Sequence, residues 1–480
     1  MANQAGAVDT RPPVSVEVRS VQRTLSLTAI VSIIFFTVSG GPYGLEDVVG
    51  GSGAGMGLLL IILTPIIWSA PISLMCAELA TAMPSQGGYY VWAKKAMGPM
   101  GAFCIGWWAW LVTWVDMALY PLLFADYLSY FFPIFAAETG SVLYRKIVMI
   151  AVIWVFTLLN LRGAKAVGGS SQFLGIILLA PFVLMIVIGL FKGFIQGFNY
   201  NPFQPFQLEG QGTFASLTGG MFVVMWNYLG WEGVSTVAGE MKNPRRNYPR
   251  ALLIAIPLIT LVYLIPTLVS LAMVGSQDLE WTSGAWSIAA ERIGGPWLGY
   301  FMSAMGMVSA IGLFSGLLMV NSRVPFVMGR DGYFPRTFMR VNNNSAPVVS
   351  LLVSAAIYTA IVILFNDFEA LATADVMLYC SVLFLEFAAL IILRLRQPGM
   401  QRPFTIPGGW FGITLVCLGP LAIVSIAIAG QVADVGWWNA LGKAFIMMAT
   451  GPLLFPVARW WKNRNGYKDD HTLFETEDAS

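Results

Sequence analysis

Residues 39–46, Ser39-Gly40-Gly41-Pro42-Tyr43-Gly44-Leu45-Glu46, interrupt an apolar run that begins at Leu25 and reads as helix up to Val38. In a soluble chain this octet would be a turn. In a bilayer, backbone that is not hydrogen-bonded within a helix is tolerated only where it is buried in protein or lines a cavity. Three glycines, a proline and an acid at that depth therefore predict a broken helix built to hold a ligand. Composition supplies the premise. Of 480 residues, 57% are hydrophobic and 11% charged, and the mean hydropathy is +0.70. Soluble chains carry about a quarter charged residues.

A spanning helix needs about 20 mostly apolar residues. Twelve such segments are readable, near 25–50, 55–80, 101–128, 146–161, 168–191, 214–238, 250–274, 297–322, 347–365, 370–393, 408–430 and 438–458. Glycines and polar residues interrupt the first and the sixth. With the N-terminus placed inside, 22 of the 27 Lys and Arg residues fall in inside segments, leaving Arg145, Lys146, Lys192, Arg292 and Lys443 outside. That asymmetry predicts a multi-pass protein of the plasma or inner membrane with cytoplasmic tails at 1–24 and 461–480. The polar stretch up to Arg23 does not read as a signal peptide. Cys76, Cys104, Cys380 and Cys417 lie in apolar runs and read as small hydrophobes, and the lone His471 is in the polar tail. No metal site, cofactor or nucleic-acid partner is expected.

After the second span come Ala77-Glu78-Leu79-Ala80-Thr81-Ala82-Met83-Pro84-Ser85-Gln86-Gly87-Gly88-Tyr89-Tyr90-Val91-Trp92. Physically this is a helix end, a Pro/Gly turn and an aromatic segment suited to the headgroups. As a string it closely resembles the signature between the second and third spans of amino acid–polyamine–organocation permeases. Asn160-Leu161-Arg162-Gly163, Gly239-Glu240-Met241-Lys242-Asn243-Pro244 and Arg330-Asp331-Gly332-Tyr333-Phe334-Pro335 fall at matching places, so the resemblance covers nearly the whole chain. Gly40-Gly41-Pro42-Tyr43-Gly44-Leu45-Glu46-Asp47, Asp116-Met117-Ala118-Leu119-Tyr120-Pro121 and Leu385-Glu386-Phe387 look like the plant and trypanosomatid polyamine-uptake branch.

The resemblance implies an all-α membrane fold of the leucine-transporter type. In it, five spans (25–193) are followed by five of opposite topology (194–396) and two extra helices (397–460). Helices 1 and 6 are broken. An internal echo agrees: Gly44-Leu45-Glu46 and Gly230-Trp231-Glu232 lie 186 residues apart at similar depth in the two interrupted spans. By that depth Glu46 can touch outside water, either as a contact for a substrate cation or as a simple entrance charge.

Charged groups at membrane depth are costly and usually face a bundle interior or cavity. Asp116 is 13 residues past Phe103, about 20 Å along its helix at 1.5 Å per residue. It is expected to meet a substrate ammonium or a proton, or else to be held by neighbouring donors. Tyr120, four residues on, shares its face. The resemblance makes Trp226 a gate stacked over substrate and Glu232 a proton-linked residue; desolvation favours the neutral form of a carboxyl group. Glu386 is expected to couple to gating, whereas Asp375, near a helix end, reads as solvated. The backbone N–H groups of Ser39, Gly40 and Gly41 suit a carboxylate, while Glu46 suits a cation. The substrate-facing set is thus Ser39, Gly40, Gly41, Tyr43, Glu46, Asp116, Tyr120, Trp226 and Tyr228, with Glu232 and Glu386 as the proton-coupling or gating pair.

The function expected is secondary transport of amino acids or polyamines, favouring cations and driven by protons. The fifth span (Ala166–Phe191) has no lysine, which related sodium-independent carriers often place there, so sodium coupling or exchange stays open. A non-transporting membrane sensor is the alternative from another class. No nucleophile–base pair, metal cluster or phosphate loop suggests an enzyme.

Overall fold

The computed structural model describes residues 25–84, 88–137, 139–162, 171–344, 346–365 and 367–467, without the side chains of 171–176, 236–237 and 239–240. The tail 1–24, Ser85-Gln86-Gly87, Gly163, Lys165, His471 and the tail from Lys468 lie outside the described residues, as do the side chains of Gly239 and Glu240.

The chain is a twelve-span, all-helical membrane protein. Its helices are α1 (Leu27–Val38), α2 (Glu46–Ser52), α3 (Ala54–Ala82), α4 (Gly88–Ser129), α5 (Val142–Asn160) and α6 (Ser171–Gln196). Then come α7 (Thr213–Gly219), α8 (Met221–Asn227), a 3₁₀ segment (Gly233–Glu240), α9 (Pro244–Val274), α10 (Ala285–Gly294) and α11 (Pro296–Asn321). The series ends with α12 (Arg323–Arg330), α13 (Val348–Leu364), α14 (Phe368–Arg396), α15 (Gly409–Val435) and α16 (Lys443–Arg464). Among the described residues, nine helices are long and apolar enough to cross a bilayer, and Leu27–Val38 and Val348–Leu364 are shorter apolar helices. The sixth span is divided among α7, α8 and the 3₁₀ segment.

Local chemistry sets the boundaries. Asp367 caps α14, its Oδ1 accepting from the Ala370 N–H at 3.1 Å, and Arg394 and Arg396 occupy the last turn, where cations suit the helix dipole. Pro244 sits at the first position of α9, where its missing N–H costs no helical bond. α3 passes through one π-helical turn at Pro65–Ser69, a common accommodation of proline within a helix.

One expectation about the spans and their connections needs correction. A helical segment from Gly88 breaks at Gly98 (φ 72°), just before Pro99, so a short helix precedes the third span, which begins close to the expected 101. The aromatic string at 89–92 is therefore not a headgroup anchor. Trp92 is fully buried, and the Tyr90 hydroxyl donates to Asp331. The connections also contain two amphipathic helices, α10 and α12, too short and polar for a hydropathy window to find.

Two buried ionic clusters bind the bundle at opposite ends. Glu78, completely buried at the end of α3, accepts from Arg394 Nε (2.6 Å) and from the Ile406 N–H (2.8 Å), with Arg402 Nε at 3.5 Å. At the other end Asp126 accepts from Arg145 and from Ser283 Oγ (2.6 Å). Charges this deep persist only when paired and hydrogen-bonded.

Candidate functional site

Both interrupted spans open where glycine is required. After α1 the chain leaves helix at Ser39 and re-enters at Glu46, with Gly41 and Gly44 at φ +98° and +86°. After α8 it breaks at Tyr228, and Gly230 (φ +92°) sits so close to α1 that a Cβ would lie 2.9 Å from the Thr37 carbonyl oxygen. Asn227 Nδ2 donates to the Gly44 carbonyl at 3.1 Å, tying one break to the other.

A cavity of about 300 Å³ lies between the breaks and α4, α11 and α14. Of the residues singled out in the sequence, Gly40, Gly41, Tyr43, Asp116, Tyr120, Trp226 and Glu232 line it. The Tyr120 hydroxyl donates to Asp116 Oδ1 at 3.0 Å, the helical-face pairing expected for residues four apart. The Trp226 ring is 6.2 Å from that of Tyr120 and 5.3 Å, edge-to-face, from that of Phe368, forming an aromatic roof. The Glu232 carboxylate accepts from the Tyr379 hydroxyl. In the other direction the cavity runs to Ile33, Thr37 and Asn321, toward the end of the bundle that carries the basic helix α12.

Four singled-out residues lie off the cavity lining. Glu46 is completely buried rather than facing outside water. It begins α2, and its carboxylate accepts from the Gly44 N–H (2.7 Å), the Gly284 N–H (3.1 Å) and the Tyr127 hydroxyl. It thus satisfies donors freed by the break and fastens the segment before α10 over it; the Trp286 indole adds a bond to the Pro42 carbonyl at 2.9 Å. Depth counting missed this covering segment. Ser39 Oγ accepts from the Gly41 N–H at 3.2 Å, occupying one of the donors offered to an anion. Tyr228 is buried with its hydroxyl on the Ile61 carbonyl at 3.0 Å. Glu386 is 1% exposed, and among the described residues no donor reaches either carboxylate oxygen.

The sequence reading also missed lining residues. Asp375, expected in solvent, is 1% exposed and lines the cavity with Tyr379, one turn further along α14. The end of α14 that should have met water is covered, since Phe368 is itself buried against Trp226. The signal was present as another Asp-x-x-x-Tyr within an apolar run, repeating the Asp116–Tyr120 spacing. Ser309 lines the cavity as well, its hydroxyl donating to the Gly40 carbonyl at 2.7 Å.

Among the described residues lining the cavity, the ionisable acids are Asp116, Glu232 and Asp375, and no Lys or Arg is present. Such a chamber is complementary to a cation and holds no nucleophile activated by a base.

The chain is similar to the polyamine transporter RMV1 of Arabidopsis thaliana, at 33% identity over 424 residues, covering 88% of this chain and 84% of the relative. It is similar as well to the polyamine transporter PUT1 of Oryza sativa subsp. japonica, at 33% over 407 residues (85% and 74%). An uncharacterised transporter of Legionella pneumophila is 28% identical over 391 residues (77% and 82%). The family model described as amino acid permease matches residues 24–450. With twelve helical spans, two of them broken around an acidic cavity, the chain belongs to the amino acid permeases of the amino acid–polyamine–organocation superfamily and is a transporter rather than an enzyme.

Proposed function

We propose that this permease imports polyamines or related organic cations across the cell membrane by alternating access, driven by protons, with both tails in the cytoplasm. The observation that carries the reading is the charge of the cavity: three carboxyl groups and no cationic side chain among the described lining residues. A neutral amino acid would leave those acids unmatched, and one backbone donor suited to its carboxylate is already taken by Ser39. Relatives named as polyamine transporters over most of this chain's length support the same substrate class. The excess of Lys and Arg in alternate connections supports the orientation.

Proton coupling is assigned to Glu232 and Glu386. Glu232 faces the cavity, and Glu386 lies buried two turns beyond Tyr379 on α14 with no donor on either oxygen among the described residues. A carboxylate so placed is far more costly than a carboxylic acid, which suits Glu386 to hold a proton while Glu232 faces the substrate. Asp116, Tyr120 and Trp226 then form the substrate seat and its roof.

The test is uptake of labelled putrescine and spermidine by purified protein in liposomes. Accumulation driven by an inward proton gradient and abolished by a protonophore is expected. Uptake of neutral amino acids but not polyamines would overturn the substrate assignment, and accumulation that follows sodium instead would overturn the coupling.

A further inference from the structure

Asp375 has so far counted only toward the charge of the cavity, yet its surroundings are the least satisfied there. The Asp-x-x-x-Tyr pattern occurs on two helices that pack against each other there, Asp116–Tyr120 on α4 and Asp375–Tyr379 on α14. Their hydrogen bonds differ. The Tyr120 hydroxyl serves its own aspartate, whereas that of Tyr379 serves Glu232. Asp375 is left 1% exposed, its Oδ1 without a donor among the described residues.

Two carboxyl groups lining one small cavity repel each other when both are ionised, unless a cation lies between them. No side chain among the described lining residues supplies that cation, so the ligand must. Along α14, Asp375 and Tyr379 are four residues apart, about 6 Å at 1.5 Å per residue, and Tyr379 holds Glu232 at the far end of that step. The cavity thus holds Asp116 and Asp375 on packed helices and, beyond Tyr379, a second anion at Glu232. Trp226, whose ring face can attract an ammonium group, lines the same cavity.

We propose that Asp375 and Asp116 together seat one ammonium group of a short α,ω-diamine whose other ammonium reaches Glu232, making Asp375 a substrate-binding residue that any amine entering the cavity meets. This rests on the organic-cation reading above and adds to it a residue and a geometry.

The experiment is binding of putrescine and of butylamine, its single-ended analogue, to the purified full-length protein by isothermal titration. Wild type is expected to favour putrescine by about tenfold or more, the worth of one hydrogen-bonded charge contact. Asp375→Asn, which keeps shape and removes charge, should weaken both amines by about tenfold or more, since both use that seat, and leave the preference for putrescine in place. Asp375→Glu should restore part of the lost affinity. Melting of the ligand-free variants shows whether they fold; if Asp375→Asn does not, Asp375→Ser is read in its place. A clear wild-type preference for putrescine together with a charge-removing variant that binds both amines as tightly as wild type overturns the proposed seat alone. A wild type that binds neither amine overturns the organic-cation reading and this seat with it.

Discussion

Glu46 and Glu232 each lie two residues past a glycine of positive φ, Gly44 and Gly230, and each accepts from a tyrosine hydroxyl, Tyr127 and Tyr379. Their surroundings divide their work. Glu46 is enclosed by backbone donors and completes the fold of the break, whereas Glu232 looks into the cavity. Glu46→Ala would strand the Gly44 N–H and the Tyr127 hydroxyl without an acceptor. The expected loss is about 1–3 kcal/mol of stability, read by unfolding in detergent, with the ranking of substrates unchanged; an altered ranking at unchanged stability would contradict the structural role. Glu386→Gln should bind putrescine within about twofold of wild type, since no hydrogen bond to Glu386 is lost. The same variant should fail to accumulate it against a gradient. Retained proton-driven accumulation would remove Glu386 from the coupling path.

At the scale of elements, the breaks depend on glycine and the ends of the bundle on buried ions. Gly230→Ala forces a side chain into a left-handed conformation and against the Thr37 carbonyl. The conformational cost alone is about 1–2 kcal/mol, visible as a lower melting temperature; an unchanged melting temperature would mean that the turn relaxes freely. Arg394→Ala leaves the buried Glu78 with Arg402 and one backbone donor. Removing one partner of a buried pair costs about 3–5 kcal/mol, and the lower end applies because Arg402 remains. A loss below about 1 kcal/mol would place this pair with ordinary surface bridges. The spans themselves were legible because lipid demands long apolar runs, and both interruptions were legible because Ser39–Glu46 and Asn227–Glu232 break those runs with glycine. The short helices α10 and α12 were not, since each owes its place to contacts with the bundle rather than to its own hydropathy. The burial of Glu46 follows from one of those contacts, the Gly284 N–H beside α10.

In the whole molecule, seven of the eleven singled-out residues meet in one cavity between the breaks. Of the residues that depth alone misplaced, Glu46 is buried by the segment before α10 and Asp375 beneath the contact of Phe368, at the start of its own helix, with Trp226. Counting along one helix reports height in the membrane but not what covers a residue from the side. Charge was more transferable than position: the acids at Asp116 and Glu232 already favoured a cation, and Asp375 adds a third of the same sign. The central claim is that this cavity is made for organic cations. It is tested most directly by thermal-shift titration of the purified protein against putrescine, spermidine, arginine and leucine, because a ligand that binds the folded state raises its melting temperature. The account predicts concentration-dependent stabilisation by the polyamines, less by arginine and none by leucine. Stabilisation by leucine with no response to either polyamine would contradict it.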